Sequence, residues 1–324
     1  MSRPLLILSV ALASYAVLSS IASLIVAGVW RIGIAGHGEP AAVRARKLVV
    51  LRAVPAVSAA IVTLGLVTPG FVALEPVRAF EAVGPLLVAL AAAGVVILVL
   101  SIGMAARTAV VTRRLERAWF GSAVALDDQP LPGVPAYGVD SGAPIVALVG
   151  VFAPRLIAAR AVLEACSNNE LAVIAAHERS HLRSRDNLKR WCMACTPDAL
   201  RWTPLHRTIV TAWNDAAEDA ADDAATGNSS FERTGLAELL VKVARLSEPA
   251  SWNAASVSPF ATPDGLNRRV RRLLTEAAPA TSTGGRAWPL CLAGLAAIVT
   301  AGLSSPTTLV HIHALVESVI AFGR

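Results

Sequence analysis

Charge is what this chain has little of. Asp, Glu, Lys and Arg make up 16% of its 324 residues, hydrophobic residues make up 55%, and mean hydropathy is +0.58. That balance excludes a chain facing water along its whole length. The shortage is local. Residues 107–286 hold 21 of the 29 Lys and Arg and 19 of the 23 Asp and Glu, leaving eight and four for all the rest. A polar region therefore interrupts strongly apolar sequence. The net charge of +6 is no nucleic-acid footprint, because the polar region itself carries only +2, and no direct nucleic-acid binding is expected. Cysteine is scarcer still, at four. Cys192-Met-Ala-Cys195 has no partner pair and no thioredoxin-like βαβ pattern beside it, so it reads as two small buried helix residues.

Long apolar runs fill the first third. Pro4 to Trp30 is uncharged, and a bilayer needs about 20 such residues. Arg3 followed by this run has the look of a signal peptide, with Ala11-Leu12-Ala13 as a cleavage site. The run continues well past that point, which favours a retained span. A connector at 31–52 carries five basic residues against Glu39. A second span covers 53–74, a turn covers 75–81, and a third span covers 82–106. Arg107, Arg113, Arg114 and Arg117 follow. Flanks rich in Lys and Arg stay in the cytoplasm, which puts 31–52 and 107 onward inside, and the N-terminus outside. A fourth span begins near Ala287, after a linker at 279–285, and Ser304-Ser305-Pro306 should end or kink it. The fold class expected is a membrane protein, mainly α. It has a three-helix transmembrane region at 1–106, a cytosolic α+β domain at 107–286 inserted before a fourth helix at 287–305, and a short apolar tail at 306–324. His311-Ile312-His313 in the tail reads as an incidental pair. Cys166, Cys192 and Cys195 then lie in a reducing compartment and Cys291 in a span, so no disulfide is expected.

Within the polar region, 107–120 reads as a basic helix leaving the membrane and 126–139 as loop with a short strand. Residues 143–152 read as a strand, broken at Pro154-Arg155, with a helix following over 158–166. The informative stretch comes next. Ser167-Asn168-Asn169-Glu170 is a capping box that opens a helix. That helix carries His177-Glu178-Arg179-Ser180-His181, an H-E-x-x-H. Histidines four apart share one helix face and can hold one metal ion, and neutral imidazole suits zinc. Glu178, next to the first ligand, can reach an attacking water without binding the metal. The bland alternative is a solvated helix whose histidines bind nothing.

A zinc site of this kind needs a third protein ligand. The stretch 212–225 is Ala-rich, helix-forming and acidic. Glu218 and Asp222 share a face, with Glu218 suited to bind zinc and Asp222 to accept a hydrogen bond from a ligand imidazole. Asp215, Asp219 and Asp223 compete for these roles. Zinc peptidases often bind an extended substrate along an edge strand, because backbone pairing tolerates sequence. That makes Val146, Leu148 and Gly150 candidate substrate-binding residues, the alternative being an ordinary core strand. His206 and Arg269 are possible oxyanion helpers that read more readily as structural.

These residues, with Arg185-Asp186-Asn187 after the motif, Gly150 to Arg155 before it and Leu266 to Leu274 near the end, resemble the BlaR/MecR family of membrane zinc metallopeptidases. A more distant similarity runs to the HtpX and CAAX-endopeptidase group. The resemblance implies a gluzincin domain, with one zinc ion on His177, His181 and Glu218, and Glu178 as general base. β-Lactam-sensing members carry a penicillin-binding domain after the fourth span. No Ser-x-x-Lys sensor follows here, so this chain is not expected to be such a receptor.

The function expected is a zinc-dependent endopeptidase in the inner or plasma membrane. It would cut a protein substrate on the cytosolic side in regulated proteolysis, with a transcriptional repressor as the partner the family suggests. Two alternatives stand beside it: a housekeeping membrane protease, and a non-enzymatic zinc-stabilised scaffold.

Overall fold

The computed structural model describes residues 2–31, 39–74, 84–121, 123–126, 130–141, 145–227, 229–246, 263–275, 301 and 305–322. Three helices are long and apolar enough to cross a membrane: α1 (Arg3–Arg31), α2 (Ala41–Leu74) and α3 (Pro85–Phe120). They make this a membrane protein with a mainly helical fold. The fourth span expected at 287–305 lies outside the described residues except for its positions 301 and 305.

The helices run on where the sequence suggested connectors. No turn separates 41–52 from the second span, so α2 is one helix that includes Pro55 and a π-helical turn at Thr63–Val67. Arg44 and Arg52 look like loop charges, but each finds an acidic partner on another element and is kept in the helix. α3 likewise extends through the basic stretch to Phe120. Gly94 lets α3 meet α1 closely, because a Cβ there would stand 2.4 Å from the Leu12 carbonyl oxygen. The tail at 306–324 is helical over Pro306–Ala321 (designated α10 below). Its Val316 and Ile320 pack with Leu6, Val10, Phe71 and Leu87 in an apolar core, and His313 stacks on Phe71.

The polar region begins with four short strands, β1 (Val124–Ala125), β2 (Ala136–Val139), β3 (Val146–Val149) and β4 (Arg155–Ala159). Their order is β1-β2-β4-β3, with β2 and β4 parallel and the other two pairs antiparallel. Two expectations need correction here. β3 stops at Val149 because Gly150 turns the chain at φ +101°, where a Cβ would meet the Ala153 carbonyl oxygen at 2.8 Å. The helix expected over 158–166 is present but starts later, because β4 takes Ala158 and Ala159. Leu156 to Ala159 are all buried, and the five residues between Pro154 and α4 (Arg160–Ala165) are too few to show a period.

The remaining helices are α5 (Asn168–Ser184), α6 (Asp186–Cys195), α7 (Pro204–Thr226), α8 (Ser230–Arg245) and α9 (Pro263–Thr275), with α10 as already given. Their packing divides in two. α5 lies on the sheet through Ala175, and its Leu171 and Ile174 meet a core made by β4, α4, α8 and α9. α7 instead shares a core with the apolar bundle. Ile209, Trp213, Ala216 and Ala217 pack with Val26 of α1, and with Ala45 and Leu48 of α2.

Candidate metal centre

α5 starts on its capping box. The Ser167 side chain accepts from Glu170 N, and the Glu170 carboxylate accepts from Ser167 N. Lys242 of α8 donates to the same carboxylate at 2.8 Å. Lys242 and the Ser167 donors hold the Glu170 pKa down to about 2. So fixed, the helix presents His177 and His181 on one face, with their Nε2 atoms 3.1 Å apart. It ends at Arg185, in the left-handed region at φ 53°. That turn brings Asp186 back so that its Oδ2 lies 2.8 Å from His181 Nδ1.

α7 approaches from the other side. Glu218 Oε2 is 3.5 Å from His177 Nε2, and Glu218 Oε1 is 3.6 Å from His181 Nε2. One ligand atom from each of the three residues fits within a 4.8 Å cluster. A tetrahedral ion with bonds of about 2.0–2.1 Å needs ligand atoms about 3.3–3.4 Å apart, so the spacing fits a metal of zinc's size. One turn further along α7, Asp222 Oδ1 sits 3.1 Å from His177 Nδ1. The outer nitrogen of each imidazole therefore faces a carboxylate, which fixes the tautomer that offers Nε2 to an ion.

Three further acids on α7 do not enter the cluster. Asp219 turns away, and its Oδ2 accepts from Arg44 of α2 at 2.6 Å while its Oδ1 accepts from Arg268 of α9 at 2.7 Å. Asp223 accepts from Arg233 and Arg272, and Asp215 pairs with Arg268. Arg269 belongs to the centre itself. It grips Asp222 with two hydrogen bonds, Nε to Oδ2 at 2.9 Å and a terminal nitrogen to Oδ1 at 2.5 Å, and its other terminal nitrogen lies 3.1 Å from Glu218 Oε2. That geometry commits the guanidinium to two carboxylates rather than to an oxyanion. His206 lies elsewhere, accepting from Arg52 at the junction with α2.

Charges in the centre are mutually enforced. Burial alone would raise the carboxylate pKa values. The Arg269 charge and the imidazoles overturn that, holding Glu218 well below the usual carboxylate range and Asp222 at about 2. Burial opposes charge on His177, yet its hydrogen bonds to Asp222 and Glu218 prevail and lift it to about 9. A metal ion and a proton thus compete for that imidazole. Glu178, 4% exposed, is pushed up by burial and partly offset by the two histidines. Its Oε2 accepts from Leu148 N at 3.2 Å, the one donor to this carboxylate among the described residues.

The edge strand β3 borders the centre. Ile145 O accepts from Ala159 N, so alternation turns the backbone polar groups of Val146 and Leu148 outward from the sheet. Asn187 donates to the carbonyls of Leu148 and Gly150 at 2.9 and 3.0 Å. A cavity of about 270 Å³ opens beside His181, between the 148–152 segment and Asp186 to Leu188. Phe152 stands 82% exposed at its rim, edge-on to Trp191.

Arg269 and Asn187 carry weight that their sequence contexts underplay. A charge match was readable for the first. Arg268, Arg269 and Arg272 recur at helical spacing on α9, as do Glu218, Asp219, Asp222 and Asp223 on α7. For Asn187 the signal is its place in Arg185-Asp186-Asn187, just past the motif helix.

Membrane helices, a buried His-His-Glu cluster and a glutamate poised between cluster and edge strand define the class: a membrane-associated metallopeptidase. A family model described as BlaR1 peptidase M56 matches residues 77–273, more than half of the chain. The chain belongs to this family, which makes a metal ion and a protein or peptide substrate part of its working state. No curated protein and no solved structure matches it.

Proposed function

We propose that the protein is a zinc-dependent endopeptidase of the cell membrane, acting on the cytosolic side in regulated proteolysis. The observation that carries the reading is the mutual spacing of His177 Nε2, His181 Nε2 and the Glu218 carboxylate, at 3.1, 3.5 and 3.6 Å. His177, His181 and Glu218 are the metal ligands, and Asp222 and Asp186 orient the imidazoles. Zinc bound by these residues would supply a Lewis acid for a peptide carbonyl and would lower the pKa of a neighbouring water to near neutral.

The chain's own residues do the rest. Glu178 takes the proton of that water on Oε1, while Leu148 N–H keeps Oε2 in place. Glu178 then hands the proton to the departing amine. An extended substrate lies along Val146, Leu148 and Gly150. The carbonyls that Asn187 already holds keep a second lone pair for it. The basic flanks of α2 and α3 support a cytosolic domain, and a transcriptional repressor is the first substrate to try.

The test is metal content and proteolysis on the purified membrane protein, for wild type and Glu178→Gln. We expect about one zinc per chain in both, and cleavage reduced at least about 100-fold in the variant. Undiminished cleavage by Glu178→Gln would sink the mechanism, and an absence of zinc in both proteins would remove the metal reading.

A further inference from the structure

The residue after the third ligand is tied to a membrane helix. Asp219 is 1% exposed and accepts from Arg44, which stands on the extension of α2 beyond its apolar span. Four residues further along α2 come Leu48 and then Arg52, both facing α7 or the turn before it. Leu48 shares a core with Trp213, Ala216 and Ala217. Arg52 pairs with Asp198 at 2.5 Å, both fully buried, and donates to His206 at 2.9 Å. Arg44, Leu48 and Arg52 recur at one-turn spacing, so a single stripe of α2 faces α7. Among the described residues no ion pair joins the histidine helix α5 to α2; α5 packs on the sheet, on α7 and, through Lys242, on α8.

We propose that Arg44 is a positioning residue for the metal centre: its ion pair with Asp219 lets the membrane helix α2 set where Glu218 stands relative to His177 and His181. This rests on the reading of Glu218 as a metal ligand. Asp219 and Glu218 are adjacent on one helical turn, so a displacement of α2 along its axis pulls at the turn that carries the ligand. Arg268 still neutralises Asp219 when Arg44 is lost, so removing Arg44 leaves no bare buried charge and does not unfold the helix. What it removes is the part of the link that lies next to Glu218, while the contacts of Leu48 and Arg52 stay in place. Lys47 provides the control. It lies on the same helix with the same charge and, among the described residues, pairs only locally, with Glu39.

The experiment uses the full chain, zinc-loaded, in detergent micelles. Metal release into excess chelator is followed for wild type, Arg44→Ala, Arg44→Lys and Lys47→Ala, with thermal unfolding measured beside it. We expect Arg44→Ala to release zinc about tenfold faster, the scale of one lost charge-assisted hydrogen bond. Lys47→Ala should match wild type, Arg44→Lys should recover most of the loss, and all four should melt together. On a cleavable substrate, Arg44→Ala should lower kcat and leave KM in place. Release at the wild-type rate from Arg44→Ala, in a wild type that does hold zinc, overturns the link and leaves the proposed function standing. Equal acceleration by Lys47→Ala also overturns it, because the effect is then one of overall charge. A wild type that holds no zinc overturns both.

Discussion

The two helices that build the centre pack on each other but are anchored on different parts of the chain. α5, with His177 and His181, is seated on a small sheet and on α8, and its start is fixed by a local capping box. α7, with Glu218 and Asp222, is seated on the apolar bundle through Trp213 and held by arginines from α2 and α9. One half of the site is a self-contained piece of secondary structure. The other is held in place by charges and packing contributed from distant parts of the chain. If Glu218 is the third ligand, as proposed, the histidine half can stay intact while the position of Glu218 answers to the membrane helices.

The comparison is broken most severely at Arg269. This arginine is 1% exposed and faces two buried carboxylates of α7. Arg269→Leu leaves both without their cation, and such uncompensated charge costs about 3–5 kcal/mol. Denaturant unfolding should show that loss in metal-free protein. Added zinc should restore part of it, because the ion replaces some of the missing positive charge. A variant as stable as wild type in chelator would show that the acids of α7 do not depend on this arginine.

A smaller effect sharpens the bundle side. His206 is held down to about 4, first by burial and then by Arg52, Arg201 and Arg207. The unfolded chain takes up this proton near pH 6.5 and the folded one only near 4. The contribution is therefore fully present above 6.5 and is lost as pH falls from there to about 4. His206→Gln should flatten the melting temperature against pH across that window, and an unchanged slope would place the titration elsewhere.

The smallest effect concerns the histidine side. Glu170, held to about 2 by Lys242 and the Ser167 donors, stabilises α5 above its unfolded pKa near 4.3. That contribution fades as pH falls through about 2. Glu170→Gln keeps the capping geometry and loses this acid dependence, which a melting series from pH 5 to 2 would reveal. The two titrations lie in separate pH ranges and report on separate halves of the site.

The same division explains what could be read from sequence. H-E-x-x-H and the Ser167–Glu170 box are patterns within one helix, so spacing alone places those groups together. The other half needs tertiary structure. Five acids crowd 215–223, and which of them face the histidines depends on where Arg44, Arg268, Arg269 and Arg272 stand, tens of residues or more away. Arg44 and Arg52 read as loop charges because their partners lie 175 and 146 residues on. β4 was hidden for a different reason: four apolar residues after a proline fit a strand or a helix end equally well.

The wide separation of these partners also orders the protein's birth. A ribosome delivers a chain from its N-terminus, so α1 and α2 can enter the bilayer before α7 exists. When the acidic helix emerges it meets Arg44 and Arg52 already in place. Arg268, Arg269 and Arg272 arrive later, 47 residues separating Arg269 from the Asp222 it clasps. Through that interval the nascent acids have only part of their counter-charge. The last counter-charge for the acidic helix of this membrane metallopeptidase thus arrives only once α9 has been made.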